Sequence, residues 1–155
     1  MIFIPKKFEK TVKWAIGADR ETEAIMAMTK VLLAAAGKEG EIKRLLDIGC
    51  GNGESTRELA DFIGLNPEAV FGIELSEDSL QKARKHFRTE RVDIEREKIP
   101  FEDGFFDVVI INHTLEHIKN IFWALSEAER VLKENGFLII GVPNLTALHN
   151  RFFLL

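Results

Sequence analysis

The sequence contains one cysteine, Cys50, among its 155 residues. A single cysteine excludes an intrachain disulfide and favours a reducing, cytoplasmic location for the chain. Cysteine-rich clusters and metal-ligand spacings are also missing. Their absence argues against a structural zinc site and against iron–sulfur radical chemistry, so no metal site is predicted. No apolar run reaches the roughly 18 residues that a membrane-spanning helix needs, and the first ten residues lack the pattern of a signal peptide.

Basic residues are not in excess either, because 21 Lys and Arg stand against 25 Asp and Glu, for a formal net charge of −4. Such a chain is not expected to bind nucleic acid through overall electrostatics, although four lysines between residues 6 and 13 leave a local basic patch open. Apolar residues make up 46% and charged residues 30%, as in globular proteins. The length fits one domain over residues 1–155.

Short apolar segments alternate with amphipathic segments from residue 42 onward. This alternation predicts an α/β fold, a Rossmann-like, doubly wound and mainly parallel sheet with helices on both faces. Ligands of such sheets bind at the carboxyl ends of the strands. Ser76 and Asn120 are predicted to cap the second and third helices, and Asn135-Gly136 is predicted to close the third. The predicted strands lie in EIKRLLDIG, AVFGIEL, ERVDIE, FFDVVIIN and FLIIGV, and the helices are ESTRELADFI, EDSLQKARKHF and IFWALSEAERVLKE.

Residues 45–55, LLDIGCGNGES, carry the first candidate site. Gly49, Gly51 and Gly53 allow positive φ and a close ligand approach at the start of a helix, where free N–H groups favour anions. A dinucleotide site would need G-x-G-x-x-G, but residue 54 is Glu, and the phosphate loop pattern is absent. Asp47, expected at the mouth of the turn, would repel a pyrophosphate and attract an ammonium group.

This stretch resembles the first motif of the class I S-adenosylmethionine-dependent methyltransferases, an acidic residue followed by a G-x-G-x-G turn. The resemblance implies S-adenosyl-L-methionine as the cofactor, with its amino acid part held by the turn. A turn that serves only tight strand–helix packing remains the alternative. The residues assigned to cofactor binding here are Asp47, Gly49, Cys50, Gly51, Asn52 and Gly53.

Acidic residues also mark the ends of the next two predicted strands, since Glu74 closes the second and Asp93 follows the third. Glu74 is placed to accept the hydroxyls of a ribose, as it would also be in a nicotinamide enzyme. By the resemblance, Leu75 lies against the adenine, Asp93 accepts from the adenine amino group, and the backbone of Ile94 meets the ring.

The fourth strand leads into INHTLEHI, whose LEH element is common in the small-molecule branch of the family. By the resemblance, Asn112 and His113 flank the sulfonium of the cofactor. His117 is a candidate general base, because imidazole side chains can accept a proton near neutral pH, and His113 is a second candidate for acceptor contact. The alternative is that Glu116 and His117 cap the next helix and support the pocket. Asp107 is expected to brace the start of the fourth strand.

The resemblance implies transfer of a methyl group to an O, N or C atom of a small metabolite, lipid or sugar. The strand that precedes LEH lacks the N/D-P-P-Y/F sequence of enzymes that methylate adenine bases or glutamine side chains. Three alternatives stay open. They are a non-catalytic cofactor-binding subunit or regulatory module, a nicotinamide oxidoreductase and, through the N-terminal lysines, a tRNA or rRNA methyltransferase, which the acidic total charge does not support.

The resemblance covers roughly residues 42–143, the predicted cofactor-binding core. Residues 1–40 are predicted to form N-terminal helices. The family fold usually has seven strands, so the C-terminal strand hairpin is missing from this prediction. The apolar tail, residues 144–155, is expected to mark a truncation or to contact a partner or a second copy of the chain.

Overall fold

The computed structural model describes residues 42–142, which form an α/β fold. The expectations for residues 1–40 and 144–155 lie outside this range. Among the described residues there are five strands, three α-helices and two short 3-10 helices. The strands are β1 (Leu45–Ile48), β2 (Val70–Glu74), β3 (Arg88–Arg91), β4 (Phe106–Asn112) and β5 (Leu132–Gly141); the α-helices are α1 (Glu54–Phe62), α2 (Glu77–Ala83) and α3 (Ile121–Val131); the 3-10 helices are Pro67–Ala69 and Leu115–His117.

The five strands form one sheet in the order β3-β2-β1-β4-β5, and each neighbouring pair is parallel. The predicted Rossmann-like parallel sheet is therefore confirmed. Strand order reverses between β1 and β4, because β2 and β4 both flank β1. The carboxyl ends of β1 and β4 consequently mark the topological switch point, where open α/β sheets bind their ligands.

Helices cover both faces of the sheet, as predicted. Neighbouring residues of a strand point to opposite faces, so Leu45 packs in one core and Leu46 in the other. The first core contains Leu59 of α1 and Ala83 of α2, and the second contains Ala124 of α3. This arrangement follows from the connections, since α1 and α2 join β1, β2 and β3 on one side of the switch point, while α3 joins β4 to β5 on the other.

Three local predictions are confirmed. The Ser76 hydroxyl accepts a hydrogen bond from the backbone N–H of Ser79 at 3.4 Å, and the Asn120 side chain caps α3 in the same way. The Asp107 carboxylate accepts from the backbone N–H groups of Lys43 and Arg44 at 3.1 and 3.0 Å, and so braces the chain before β1 and the start of β4.

The third strand was placed wrongly. β3 begins at Arg88 and ends at Arg91, so it starts two residues before the predicted segment ERVDIE, and most of that segment follows the strand. Its register with β2 runs from Phe71↔Arg88 to Glu74↔Arg91. As an edge strand in which only Thr89 is buried, it lacks the apolar run by which a buried strand is recognised.

Two helix ends were also predicted wrongly. α2 ends at Ala83 rather than near Phe87. α3 ends at Val131, and Asn135-Gly136 does not close it. β5 begins at once because Leu132 pairs with Phe106, and a register shift follows before Val108 pairs with Phe137. Gly136 lies in β5, where a Cβ would come within 2.9 Å of the Asp107 carbonyl oxygen.

Candidate functional site

A cavity of about 270 Å³ opens at the carboxyl edge of the sheet. It lies where the topology predicts a ligand site, between the ends of β1, β2 and β4. Six residues predicted for the site line it: Gly49, Glu74, Leu75, Ile94, His113 and His117. Six further lining residues were missed from the sequence: Ile48, Ile73, Val92, Glu95, Thr114 and Ile118.

The glycine turn has the backbone conformation that its sequence predicts. The φ angles of Gly49, Gly51 and Gly53 are 80°, 54° and 82°. The N–H groups of Gly49 and Cys50 donate to the carbonyl oxygen of Ile73 at 2.8 and 3.2 Å, which anchors the turn to β2. α1 then begins at Glu54, so the turn is the entry to a helix N-terminus.

The three glycines serve different purposes. A Cβ on Gly49 would collide with the side chain of Thr114, and one on Gly53 would lie 3.0 Å from the backbone of Ala83. Packing therefore requires glycine at both positions. A Cβ on Gly51 would meet nothing within 4 Å. Packing alone explains why glycine is needed at positions 49 and 53, but it does not explain the open space beside Gly51.

Glu74 ends β2 with its carboxylate directed back to the turn. Its Oε2 accepts from the N–H of Gly51 at 3.1 Å, and its Oε1 accepts from Leu75 and Ser76 at 2.7 and 2.9 Å. Three backbone donors fix the carboxylate, and Oε2 keeps room for a further donor such as a ribose hydroxyl. The Leu75 side chain beside it is 48% exposed, as expected of a residue that a flat ring could cover.

Asp47 does not stand at the mouth of the turn. It is buried, with 7% of its surface exposed, and is not among the residues that line the cavity. Thr56 of α1 donates its hydroxyl to Oδ2 at 2.6 Å, whereas Oδ1 has no hydrogen-bond partner within residues 42–142. Burial raises the pKa of Asp47 to about 6; the hydrogen bond from Thr56 opposes this shift, and the charge of Glu74 adds to it.

Cys50 and Asn52 serve the turn itself. The Cys50 thiol is buried against Gly72, on which a Cβ would lie 2.6 Å from Sγ. Burial, followed by the charges of Asp47 and Glu74, raises the pKa of this thiol, so no reactive thiolate is expected. Asn52 is exposed, and its Oδ1 accepts from the N–H of Glu54 at 3.2 Å at the start of α1.

The segment after β3 contributes Ile94 rather than Asp93 to the cavity wall. The Asp93 carboxylate accepts from the N–H of Glu95 at 3.1 Å and lies 3.6 Å from Nε of Arg96. Glu95, which was missed, lines the cavity and accepts from the N–H of Lys119 at 3.0 Å. This bond joins the segment after β3 to the residues after LEH, a contact that no local sequence pattern predicts.

The segment after β4 brings both candidate histidines to the cavity. His113 has a φ of 51°, the only positive φ of a non-glycine residue among the described residues, and such strain often accompanies function. Its Nδ1 lies 3.3 Å from Oε1 of Glu116.

Asn112 is not among the lining residues, and its buried Oδ1 lacks a partner in the part of the chain that the structure describes. The idea that Glu116 and His117 cap the next helix is wrong, because Asn120 caps α3.

A second cavity of about 290 Å³ lies at the opposite edge of the sheet, lined by Asp107 and Lys133 among others. Two of its charged groups are already paired with each other, since Lys133 donates to Asp107 at 2.6 Å. Burial alone would raise the pKa of Asp107, but the bonds from Lys133, Lys43 and Arg44 lower it. The slightly larger volume therefore does not make it the better site, and the carboxyl-edge cavity is the candidate.

A profile of the family described as "Methyltransferase domain" matches residues 46–140, which include the glycine turn, Glu74 and the LEH element. The chain belongs to the class I S-adenosylmethionine-dependent methyltransferases. The described part of this methyltransferase-family chain contains no group of three side chains that could hold a metal ion and no helix with the length and apolar character needed to cross a bilayer.

Two curated relatives of this methyltransferase-family chain and one solved structure illustrate the likeness. A demethylmenaquinone methyltransferase of Tropheryma whipplei is 36% identical over 117 residues, which are 74% of this chain and 45% of the relative. A ubiquinone biosynthesis O-methyltransferase of Glaesserella parasuis is 31% identical over 115 residues, 68% of this chain and 47% of the relative. The chain thus spans less than half of these two relatives.

The solved structure is a SAM-dependent methyltransferase of Thermotoga maritima, described as a possible histamine N-methyltransferase. It superposes with a TM-score of 0.65 and 26% identity, covering 86% of this methyltransferase-family chain and 56% of the other.

Proposed function

We propose that this chain binds S-adenosyl-L-methionine at the carboxyl edge of its sheet and transfers the methyl group to an O, N or C atom of a small metabolite, lipid or sugar. The observation that carries the proposal is the bond from the Gly51 N–H to the Glu74 carboxylate, 3.1 Å long, at the edge of the cavity. It couples the glycine turn to an acceptor of ribose hydroxyls, which is the pairing that this cofactor requires.

The residues present fit the cofactor. Gly51 leaves open space at the helix N-terminus, and Glu74 keeps room for a hydroxyl donor. The Oδ1 of Asp47, which has no hydrogen-bond partner within residues 42–142, supplies negative charge behind the turn. Leu75 and Ile94 offer apolar surface for the adenine, while Asp93 is assigned to its amino group by the resemblance. When bound, the cofactor supplies a methyl group activated on a sulfonium.

The remaining residues orient the reactants and exclude water. Ile48, Ile73, Val92 and Ile118 line the cavity, and apolar walls of this kind remove water from a charged reacting centre. Much of the rate is expected from placing the acceptor atom in line with the methyl group. By the resemblance, Asn112 is assigned to the side of the site where the sulfonium of the cofactor would lie.

Where the acceptor must lose a proton, His117 or His113 would take it, since both imidazoles line the cavity.

The acceptor class rests on the LEH element and on what the relatives' names say they act on. One curated relative is named for demethylmenaquinone and the other for ubiquinone biosynthesis, and the solved relative is described as a possible histamine N-methyltransferase. A quinone precursor with a free hydroxyl and an aromatic amine are therefore the first acceptors to test. Cytoplasmic location and a homodimer or partner contact through residues 144–155 stay predictions.

Calorimetric titration with S-adenosylhomocysteine tests the cofactor site, with NADH titrated in parallel. The wild-type chain is expected to bind the first in the micromolar range and not the second. Glu74→Gln should weaken binding by about tenfold or more, because a charged acceptor is lost. Glu90→Gln, which alters a half-buried carboxylate on the adjacent strand β3, is the matched control and should bind as wild type. Binding of NADH instead would favour the oxidoreductase.

Methyl transfer from labelled S-adenosylmethionine to the acceptor set separates the enzyme from the non-catalytic module. Transfer that Glu74→Gln reduces and Glu90→Gln does not would establish catalysis. A chain that binds S-adenosylhomocysteine tightly, yet transfers no label to any acceptor of the set, would instead favour the subunit or regulatory module.

A further inference from the structure

Thr114 is a residue of the cavity wall to which sequence reasoning assigned no role. It directly follows His113 and precedes the LEH element, and it lies across the switch point from the glycine turn. We propose that Thr114 is a positioning residue that fixes the glycine turn relative to the exit of β4. The inference rests on the proposed function, because it concerns how the turn holds the amino acid part of the cofactor.

One hydroxyl group connects the two halves of the switch point. The Thr114 Oγ1 lies 3.1 Å from the carbonyl oxygen of Ile48 and 3.0 Å from that of Asn112. Ile48 is the last residue of β1, and Asn112 is the last residue of β4. The hydroxyl has a single proton, which these two carbonyls share. It therefore ties the carboxyl ends of the strands between which the sheet order reverses.

Packing of the Thr114 side chain also holds the glycine turn in position. A Cβ on Gly49 would collide with Oγ1 and Cγ2 of Thr114, so the side chain lies directly against the first glycine of the turn. The other side of that turn is fixed by the bond from the Gly49 N–H to the Ile73 carbonyl. Gly49 is thus held between β2 and Thr114, and its position sets that of Gly51.

We expect Thr114 to affect the relative positions of the binding groups more than the stability of the fold. Thr114 links the turn that receives the amino acid part to the segment that carries His113 and His117. A shift of about 1 Å between such elements is enough to lower a rate by roughly a hundredfold. Adenosine would depend mainly on Glu74, Leu75 and Ile94, and Glu74 keeps two bonds, from the N–H groups of Leu75 and Ser76, that do not involve the glycine turn. Loss of the Thr114 hydroxyl should therefore weaken a ligand with the amino acid part more than one without it.

The test uses the full chain as wild type, Thr114→Val and Thr114→Ser, titrated with S-adenosylhomocysteine and with adenosine. Thr114→Val keeps the shape and removes the hydroxyl, so affinity for S-adenosylhomocysteine should fall by about tenfold, while that for adenosine changes less than about threefold. Thr114→Ser keeps the donor and should bind both ligands within about threefold of wild type.

Three outcomes would overturn the inference. Thr114→Val that binds S-adenosylhomocysteine as wild type does would show that the hydroxyl positions nothing. Equal losses for both ligands, together with a lower melting temperature, would assign Thr114 to the fold alone. If Thr114→Val does not fold, Thr114→Ala takes its place, and failure of both to fold also assigns the residue to the fold. A wild-type chain that binds neither ligand would instead refute the proposed function.

Discussion

Asp47 and Glu127 are both buried carboxylates, 7% and 3% exposed, but their surroundings differ. Glu127 on α3 accepts from the N–H of Ile99 at 2.9 Å and from two nitrogens of Arg130 at 2.9 and 2.7 Å. The bonds from Arg130 outweigh burial and lower the pKa of Glu127. Asp47 accepts only from Thr56 within the described residues, and burial raises its pKa to about 6.

The contrast separates a carboxylate that stabilises the fold from one that costs stability. Arg130 also donates to the carbonyls of Ile99 and Phe101, so the Glu127–Arg130 pair fastens the segment before β4 to α3. Within residues 42–142, Asp47 forms no ion pair, and its Oδ1 has no hydrogen-bond partner. An unpaired buried charge is costly, which is why we infer that Asp47 is retained for a cationic ligand.

The largest effect is expected from breaking the Glu127–Arg130 pair. Arg130→Met would leave Glu127 buried without its cation and remove the bonds to two carbonyls. The free energy of unfolding should fall by about 3–5 kcal/mol, the usual cost of removing one partner of a buried pair. Chemical denaturation at about pH 7.5 measures it.

The matched control is Arg57→Met, which breaks the exposed pair between Arg57 and Asp61 on α1. An exposed pair contributes less than about 1 kcal/mol. If the two variants lost equal free energy of unfolding, the buried Glu127–Arg130 pair would contribute no more to stability than an exposed pair does.

The next largest expected effect is a gain in the free energy of unfolding. Asp47→Asn removes a buried charge while its side-chain oxygen still accepts from Thr56, so the unliganded chain should gain about 1–3 kcal/mol at about pH 7.5. Denaturation without ligand measures it. A loss of stability at that pH would mean that the charge of Asp47 has a partner in the folded chain.

The pH dependence of this gain follows from the raised pKa. Between the ordinary value of 3.8 and about 6, the carboxyl of Asp47 is protonated in the folded chain but ionised in the unfolded chain. The contribution of Asp47 to the stability of the wild-type chain therefore falls as the pH rises from 3.8 to about 6, and it stays low at higher pH. The advantage of Asp47→Asn should vanish near pH 3.8 and be complete above about 6.

The smallest effect is expected at the amino edge of the sheet. Asp107→Asn weakens bonds to Lys133 and to two backbone N–H groups, at a cost of about 1 kcal/mol near pH 7, since the pair with Lys133 is partly exposed. Because the pKa of Asp107 is lowered, its contribution is present above the ordinary pKa of aspartate and is lost as the pH falls through the lowered value. Melting curves across that range measure it, and a pH-independent difference would contradict the assignment.

Features that depend on neighbouring residues were predictable from the sequence. The caps at Ser76 and Asn120, the positive φ of Gly49, Gly51 and Gly53, and the position of Glu74 at the end of β2 all follow from local chemistry. The parallel sheet follows from the alternation of apolar and amphipathic segments.

Features that depend on which strands become neighbours were not predictable. The end of α3 at Val131 is set by the pairing of Leu132 with Phe106, and the start of β3 by its register with β2. Thr114 and Glu95 matter through contacts with Ile48 and Lys119, which lie 66 and 24 residues away. Asp47 was expected at the mouth of the turn because the sequence shows its charge but not the packing of α1 over it.

The most direct test of the central claim compares the affinity of Asp47→Asn and Asp107→Asn for S-adenosylhomocysteine. Both variants remove one carboxylate charge, one beside the glycine turn and one at the opposite edge of the sheet. We predict that Asp47→Asn binds about tenfold or more weakly than wild type while being more stable, and that Asp107→Asn binds as wild type while being less stable. Unchanged affinity in Asp47→Asn would contradict the claim that this buried carboxylate is kept for the cofactor.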